Sequence, residues 1–185
     1  ALEEEVVHTI DGKKCYDKHL PVTSAITVFN DNVYLFHFSN GRDPFLGDDD
    51  CGGLVEVLDA DLKPVLKRKF APYAISHAVS DEKGIYFATA DTSNGWIPEG
   101  QGDLYLMNPK TLGYKPIGGR FSAVTSLCKT KERCLIGLKN GILVSLDDGG
   151  HSGFLHEQRT PINGIVVKGR KIYVSAPGIV TEFFP

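Results

Sequence analysis

One short phrase returns four times along this chain: Ser24-Ala25-Ile26-Thr27, Tyr73-Ala74-Ile75-Ser76, Ser122-Ala123-Val124-Thr125 and Asn163-Gly164-Ile165-Val166. The copies begin at residues 24, 73, 122 and 163, so successive starts lie 49, 49 and 41 residues apart. Each opens a run of alternating apolar residues, the period-2 mark of a half-buried strand. A second apolar strand follows within about a dozen residues. Nowhere do apolar residues keep a 3.6-residue period over a helix-length window. A repeat of this length is one small sheet, and the sheets must stack to bury their apolar faces.

The strands can be placed within each repeat. The first holds Ala25–Phe29, Val33–Phe38, Leu54–Leu58 and Pro64–Phe70, with turns at Asn30-Asp31-Asn32 and Asp59-Ala60-Asp61. Asn and Asp tolerate the backbone of tight hairpins. The second holds Ala74–Val79, Ile85–Ala90, Asp103–Met107 and Tyr114–Ile117. The third holds Val124–Lys129, Cys134–Leu138, Ile142–Leu146 and Gly153–Gln158, and its Asn140-Gly141 is a strong hairpin signal. The fourth holds Gly164–Val167, Lys171–Ser175 and Ile179–Phe184, and lacks an outer strand.

Four-stranded units at this period are the blades of a β-propeller. The fold class is therefore all-β: a β-propeller of about four blades, in a single domain over residues 1–185. Glu4–Ile10 is a strand-like segment that can supply the missing outer strand, closing the ring by pairing the N- and C-terminal strands. The alternative comes from Val6–Lys13, which resembles a third strand with its turn, like Val55–Asp59. The chain is then an excised part of a larger propeller, or an open partial propeller completed by another chain, half of an oligomeric ring.

A chain of 185 residues buries about 70% of its unfolded surface, so it needs neither a metal nor a disulfide to fold. The net charge of −3 gives no broad electrostatic footprint for nucleic acid. The densest basic run, Lys63 to Lys69, falls on an outer strand, where it discourages edge pairing. No apolar run is long enough to span a bilayer. The start at Ala1 fits loss of an initiator Met or of a signal peptide, and the second case would make the protein secreted or extracellular. Cys15, Cys51, Cys128 and Cys134 are too sparse for a disulfide scaffold. Cys128 and Cys134 flank one hairpin turn, where they either bridge the strands or stay as half-buried thiols.

Two insertions interrupt the pattern between second and third strands, Ser39 to Gly53 and Asp91 to Gly102. Long loops on a regular scaffold are where binding usually resides. The first carries Phe45 with Asp43, Asp48, Asp49 and Asp50. Grouped carboxylates suit a hard cation such as Ca²⁺, although the spacing is not that of an EF-hand loop. The second carries Asn94, Trp96 and Glu99, and Trp96 is the sole tryptophan. On an otherwise polar loop it reads as a contact anchor or as a residue packed down to hold the loop. No cofactor is called for beyond that candidate Ca²⁺.

The remaining motifs are structural. Ser145, Asp147 and Gly149 match part of the Asp-box of sialidase-type propellers, a turn device. His37 and His77 fall on strands and could reach a central channel, though a satisfied structural His is the plainer reading. There is no Gly-x-Ser-x-Gly elbow, and Gly118-Gly119-Arg120 lacks the Lys-Ser/Thr of a phosphate loop.

Ala25-Ile26-Thr27 followed by Val33-Tyr34-Leu35-Phe36, echoed by Gly164 and Ile172-Tyr173-Val174, resembles the inner strands of a hemopexin-type blade. That resemblance implies four blades, a ligand- or protein-binding role and axial ion sites. The Asp that precedes Ala in that family is Ser24, Tyr73 and Ser122 here. The function expected is a non-enzymatic binding or assembly module. It would take a protein or small ligand through the loops 39–53 and 91–102. The alternative is a propeller-type metal-assisted hydrolase or lactonase with a central Ca²⁺. That enzyme needs polar inner-strand residues, and Asn163 is the only amide in the four phrases.

Overall fold

The computed structural model describes residues 22–39, 52–70, 74–90, 102–147 and 149–184. Among these residues there are strands, turns and no helix. The first sheet comprises β1 (Val22–Phe29), β2 (Asn32–Ser39), β3 (Gly52–Leu58) and β4 (Pro64–Phe70). The second comprises β5 (Ala74–Asp81), β6 (Gly84–Ala90), β7 (Leu104–Met107) and β8 (Tyr114–Pro116). The third comprises β9 (Val124–Lys129), β10 (Arg133–Leu138), β11 (Ile142–Asp147) and β12 (Ser152–Glu157). The fourth comprises β13 (Gly164–Lys168), β14 (Lys171–Ala176) and β15 (Ile179–Phe183). Each is an antiparallel meander in chain order, and the fourth has three strands. The sequence placements of β4 and β9 coincide with these bounds, and the others shift by one to three residues at an end. The proposed closing strand, Glu4–Ile10, lies outside the described residues.

The turns follow from local chemistry. Asn30 and Asp31 both take positive φ, 47° and 62°, as a two-residue hairpin loop demands. The third-to-fourth-strand turns share one device. Asp59 Oδ1 accepts the backbone N–H of Asp61 and Lys63, both at 2.9 Å. Asp147 Oδ1 accepts those of Gly149 and His151, again at 2.9 Å. Asn108 Oδ1 does the same for Lys110 and Thr111, at 2.9 and 3.2 Å. The Asp-box residue Asp147 is thus a turn builder, one of three at equivalent positions.

The β-ladders fix how the blades correspond. Ala25, His77, Ser126 and Gly164 on the innermost strands pair with Phe36, Ala88, Gly137 and Ser175. Those in turn pair with Val55, Leu104, Leu143 and Val180. One residue earlier, Ser24, Ser76 and Thr125 each sit at a register shift, a β-bulge. Asn163 holds that place in the fourth blade. Equivalent residues are therefore 24, 76, 125 and 163, three residues off the phrase alignment in the second and third copies. The bulge is common to the first three blades, so the offset arises because Ala25-Ile26 and Ala74-Ile75 read alike while occupying different rows of their ladders.

The bulged hydroxyls are used. Ser24, Ser76 and Thr125 donate to the carbonyls of Phe36, Ala88 and Gly137, at 3.2, 3.3 and 3.2 Å. Ser24 also donates to Ile75 of the next blade, and Thr125 to Ile162 of the next at 2.5 Å.

The core lies between the blades. Tyr34, Phe36, Val55 and Val57 of the first sheet pack on Ile75, Ile85, Phe87 and Met107 of the second. Ala88 and Leu104 pack on Val124, Ile136 and Leu146 of the third. Leu135 and Leu143 pack on Ile162, Ile165, Ile172 and Val174 of the fourth. Each blade thus has a front face toward its predecessor and a rear face toward its successor. Each large apolar side chain removed from water contributes on the order of 1.5–3 kcal/mol. Polar stitches add to the first two junctions. The Tyr34 hydroxyl donates to the Pro109 carbonyl at 3.0 Å, Arg68 to that of Leu112 at 3.1 Å. Lys129 reaches Asp81 at 3.0 Å.

Candidate functional site

The residues singled out in the two insertions fall outside the described residues: Phe45, Asn94, Trp96, Glu99 and the carboxylates Asp43, Asp48, Asp49 and Asp50. What the structure supplies is where those insertions are rooted. The first leaves β2 at Ser39 and re-enters at Gly52 of β3, and these two residues pair. The second leaves β6 at Ala90 and returns toward Leu104 of β7. Its far stem is tied down: the Asp103 N–H donates to Thr89 Oγ1 at 3.1 Å, and the Thr89 N–H to the Asp103 carbonyl at 3.0 Å.

The two stems share a rim because β1 and β5 run side by side in the same direction. Ser24 bonds Ile75 near the start of both strands. Near their ends, Ser80 Oγ donates to the Val28 carbonyl at 2.6 Å and Thr27 Oγ1 to Ser80 Oγ at 3.2 Å. The β2 and β6 strands return antiparallel to these, so Ser39 and Ala90 emerge beside Val22 and Ala74, at the starts of neighbouring innermost strands.

The two strand histidines are packed to different degrees. His37 is 2% exposed, with Nδ1 3.0 Å from Thr23 Oγ1 and Nε2 3.7 Å from a carboxylate oxygen of Glu56, itself buried. It sits one row below the stem of the first insertion. His77 is half-buried on β5 facing β9. Burial pushes its pKa below the usual imidazole value, and a hydrogen bond to the Thr125 backbone opposes that. The spacing-based disulfide does not form. Cys128 pairs with Leu135 and Cys134 with Lys129 in the ladder, and no bridge joins the two sulfurs. Their one-row offset sends them to opposite faces of the sheet, Cys134 toward the second blade and Cys128 toward the fourth. Among the described residues no group of three or more His, Cys, Asp or Glu side chains is placed to hold a metal.

Sequence reasoning missed a groove on the opposite rim, between the third and fourth blades. It holds about 450 Å³. Leu135, Val167 and Ile172 form an apolar floor, and three cations, Lys131, Arg133 and Arg170, stand at its edge with one carboxylate, Glu132. The signal available was the cationic character of two hairpin turns, but only the fold brings residues 131 and 170 together. The arrangement offers no nucleophile paired with a base. It can accept an apolar group carrying negative charge.

No family model matches the sequence, and no curated protein matches it either. The hemopexin-type resemblance therefore gains no support. Solved structures do match in fold. The computationally designed Ika4 protein aligns at a TM-score of 0.59 with 12% identity, over 90% of this chain and 92% of that one. The Dos1 propeller aligns at 0.57 with 15% identity, over 88% of this chain and 41% of its own. The Cps50 (Swd1) β-propeller domain of Myceliophteria thermophila aligns at 0.54 with 16% identity, over 88% and 52%. The chain thus spans about half the length of those two propeller chains. Its fold is that of a β-propeller, built from four consecutive blades among the described residues.

Proposed function

We propose that the protein is a non-enzymatic binding or assembly module, with the propeller as platform and the loops 39–53 and 91–102 as the recognition surface. The observation that supports this is the side-by-side, same-direction run of β1 and β5 in adjacent sheets, which roots both insertions on one rim of adjacent blades. Two long loops on neighbouring roots give a composite surface larger than either alone. Phe45 and Trp96 serve as apolar anchors on it, with Asn94 and Glu99 as polar contacts. Asp43, Asp48, Asp49 and Asp50 set a preference for cationic partners or hold Ca²⁺.

The test uses a displayed peptide library selected on the intact protein. Binders raised this way should lose affinity by roughly tenfold or more when Phe45 and Trp96 are replaced by Ala. They should be indifferent to Lys131→Ala and Arg170→Ala on the opposite rim. Binders that ignore the loop substitutions and fail with the groove substitutions would move recognition to the groove. Calorimetry with Ca²⁺ on the wild type and on Asp48→Asn/Asp50→Asn tests the cation separately.

A further inference from the structure

The ladder correspondence exposes an anomaly at the two ends of the row of blades. Val55, Leu104 and Leu143 occupy one position on three successive rear faces, and each is 0% exposed because the next blade covers it. Val180 occupies that same position in the fourth blade and is 70% exposed. Tyr173 follows suit. Its equivalents Tyr34, Tyr86 and Leu135 are buried, while Tyr173 is half-buried. Val166 on β13 is 62% exposed.

The first blade shows the mirror case. Ile26 matches Ala78, Leu127 and Ile165, each of which packs against the blade before it. Ile26 is 59% exposed. Val28, two residues on, is exposed as well, and its fourth-blade equivalent Val167 packs into a junction. The fourth blade's rear face and the inner half of the first blade's front face thus carry the residues of a blade junction without its cover. The innermost strands touch in the order β1, β5, β9, β13, and β13 does not pack on β1 as the others pack on their neighbours.

We propose that these two faces are the halves of one further junction, made twice between two copies of this chain. The rear face of blade four of each copy would seat on the front face of blade one of the other. Two such contacts close a ring of eight blades about a twofold axis. A second copy is the occupant because it supplies the missing front and the missing rear together, with no third component. Head-to-tail contacts of this kind close or run on into a filament depending on their rotation. The Dos1 and Cps50 propellers, of which this arc spans 41% and 52%, show that an arc of this extent fits within a larger ring. The stitch between innermost strands also extends. Ser24 and Thr125 donate to the carbonyls of Ile75 and Ile162 in the following blade. Asn163 stands at the equivalent position and is exposed. Its carboxamide would donate to the Thr23 carbonyl of the second copy.

The experiment is sedimentation velocity on the full chain, with two charge variants. The wild type should sediment at twice its 20.2 kDa chain mass. Val180→Lys and Ile26→Glu should each be monomeric at concentrations where the wild type is dimeric. Each should weaken association by on the order of a hundredfold or more, as expected for an unpaired charge in an apolar junction. Both residues are exposed in the single chain, so circular dichroism should show an unchanged fold. An equimolar mixture of the two variants should regain the dimer, because one junction then pairs Lys with Glu and the other is wild type. A wild type that stays monomeric at every concentration overturns the proposal. So does a dimer indifferent to both substitutions, a filament, or a mixture that fails to reassociate.

Discussion

The Thr125 hydroxyl donates across the junction of the third and fourth blades to the Ile162 carbonyl, at 2.5 Å. Its single proton is shared with the Gly137 carbonyl of its own sheet, 3.2 Å away, so one side chain ties a bulge to its ladder and to the next blade. Replacing it by valine keeps the shape and removes the donor. Thr125→Val should cost about 1 kcal/mol, the usual net value of such a bond, and somewhat more if the carbonyls stay dry. Urea denaturation measures it, and an unchanged midpoint would mean that water replaces the hydroxyl without loss.

Two glycines with left-handed backbone should respond differently to alanine. Gly169 has φ +63° and nothing within 4 Å of the place a methyl group would take, so Gly169→Ala should lose only the conformational preference, roughly 1–2 kcal/mol. At Gly141, φ is +85° and a Cβ would lie 2.0 Å from the Gln158 carbonyl oxygen and 2.8 Å from that of Thr160. Gly141→Ala must displace backbone that carries the β11–β12 pairing. Thermal melts should rank it well below Gly169→Ala, and equal melting temperatures would contradict the turn geometry.

His77 predicts a pH response with a definite sign. Burial lowers its folded pKa, so the unfolded chain takes up the proton first as pH falls. Stability should therefore decline as pH drops through the ordinary imidazole range near 6.5, and level off once the folded form protonates too. The His77→Gln variant should lose that component of the slope. Melting temperatures of both proteins between neutral and mildly acidic pH decide the matter, and identical slopes would assign the response elsewhere.

Cys128 and Cys134 should never be recovered as an intramolecular disulfide. Their register places them against Leu135 and Lys129 on opposite faces, and a bridge would have to pass through the sheet. Burial raises the Cys128 pKa, so less of it is thiolate at a given pH. Mass spectrometry after alkylation should find both residues labelled once the chain is denatured without reductant, and Cys128 labelled slowly in the native protein.

The strands themselves were readable because alternation and Asn/Asp/Gly turns are local. Asn30-Asp31, Asp59, Asn108 and Asn140-Gly141 each closed the hairpin their chemistry implied. The register between blades was not readable. Ser24 corresponds to Ser76 rather than Tyr73, because a short apolar phrase carries no mark of which ladder row it occupies. Face assignment was hidden for a related reason: Leu143 and Val180 are similar residues on similar strands, and only their neighbours make one buried and the other bare. The groove edged by Lys131 and Arg170 joins residues a whole blade apart. For the loops around Phe45 and Trp96, length and composition carry only the expectation of recognition, and the fold supplies the common rim of their stems.

The meander order of every sheet bears on how the chain is made. Each described blade pairs only strands that follow one another in the sequence, so it can assemble as soon as its own segment has left the ribosome. What cannot be finished at that moment is its rear face. Val55 stays wet until Ile85 and Phe87 are translated, and Leu143 until Ile165 and Val174 arrive. A nascent chain of this design gains one sticky rear surface at a time, always on the blade just completed, and hands it forward with each new repeat while the first blade's front face, with Ile26, stays bare.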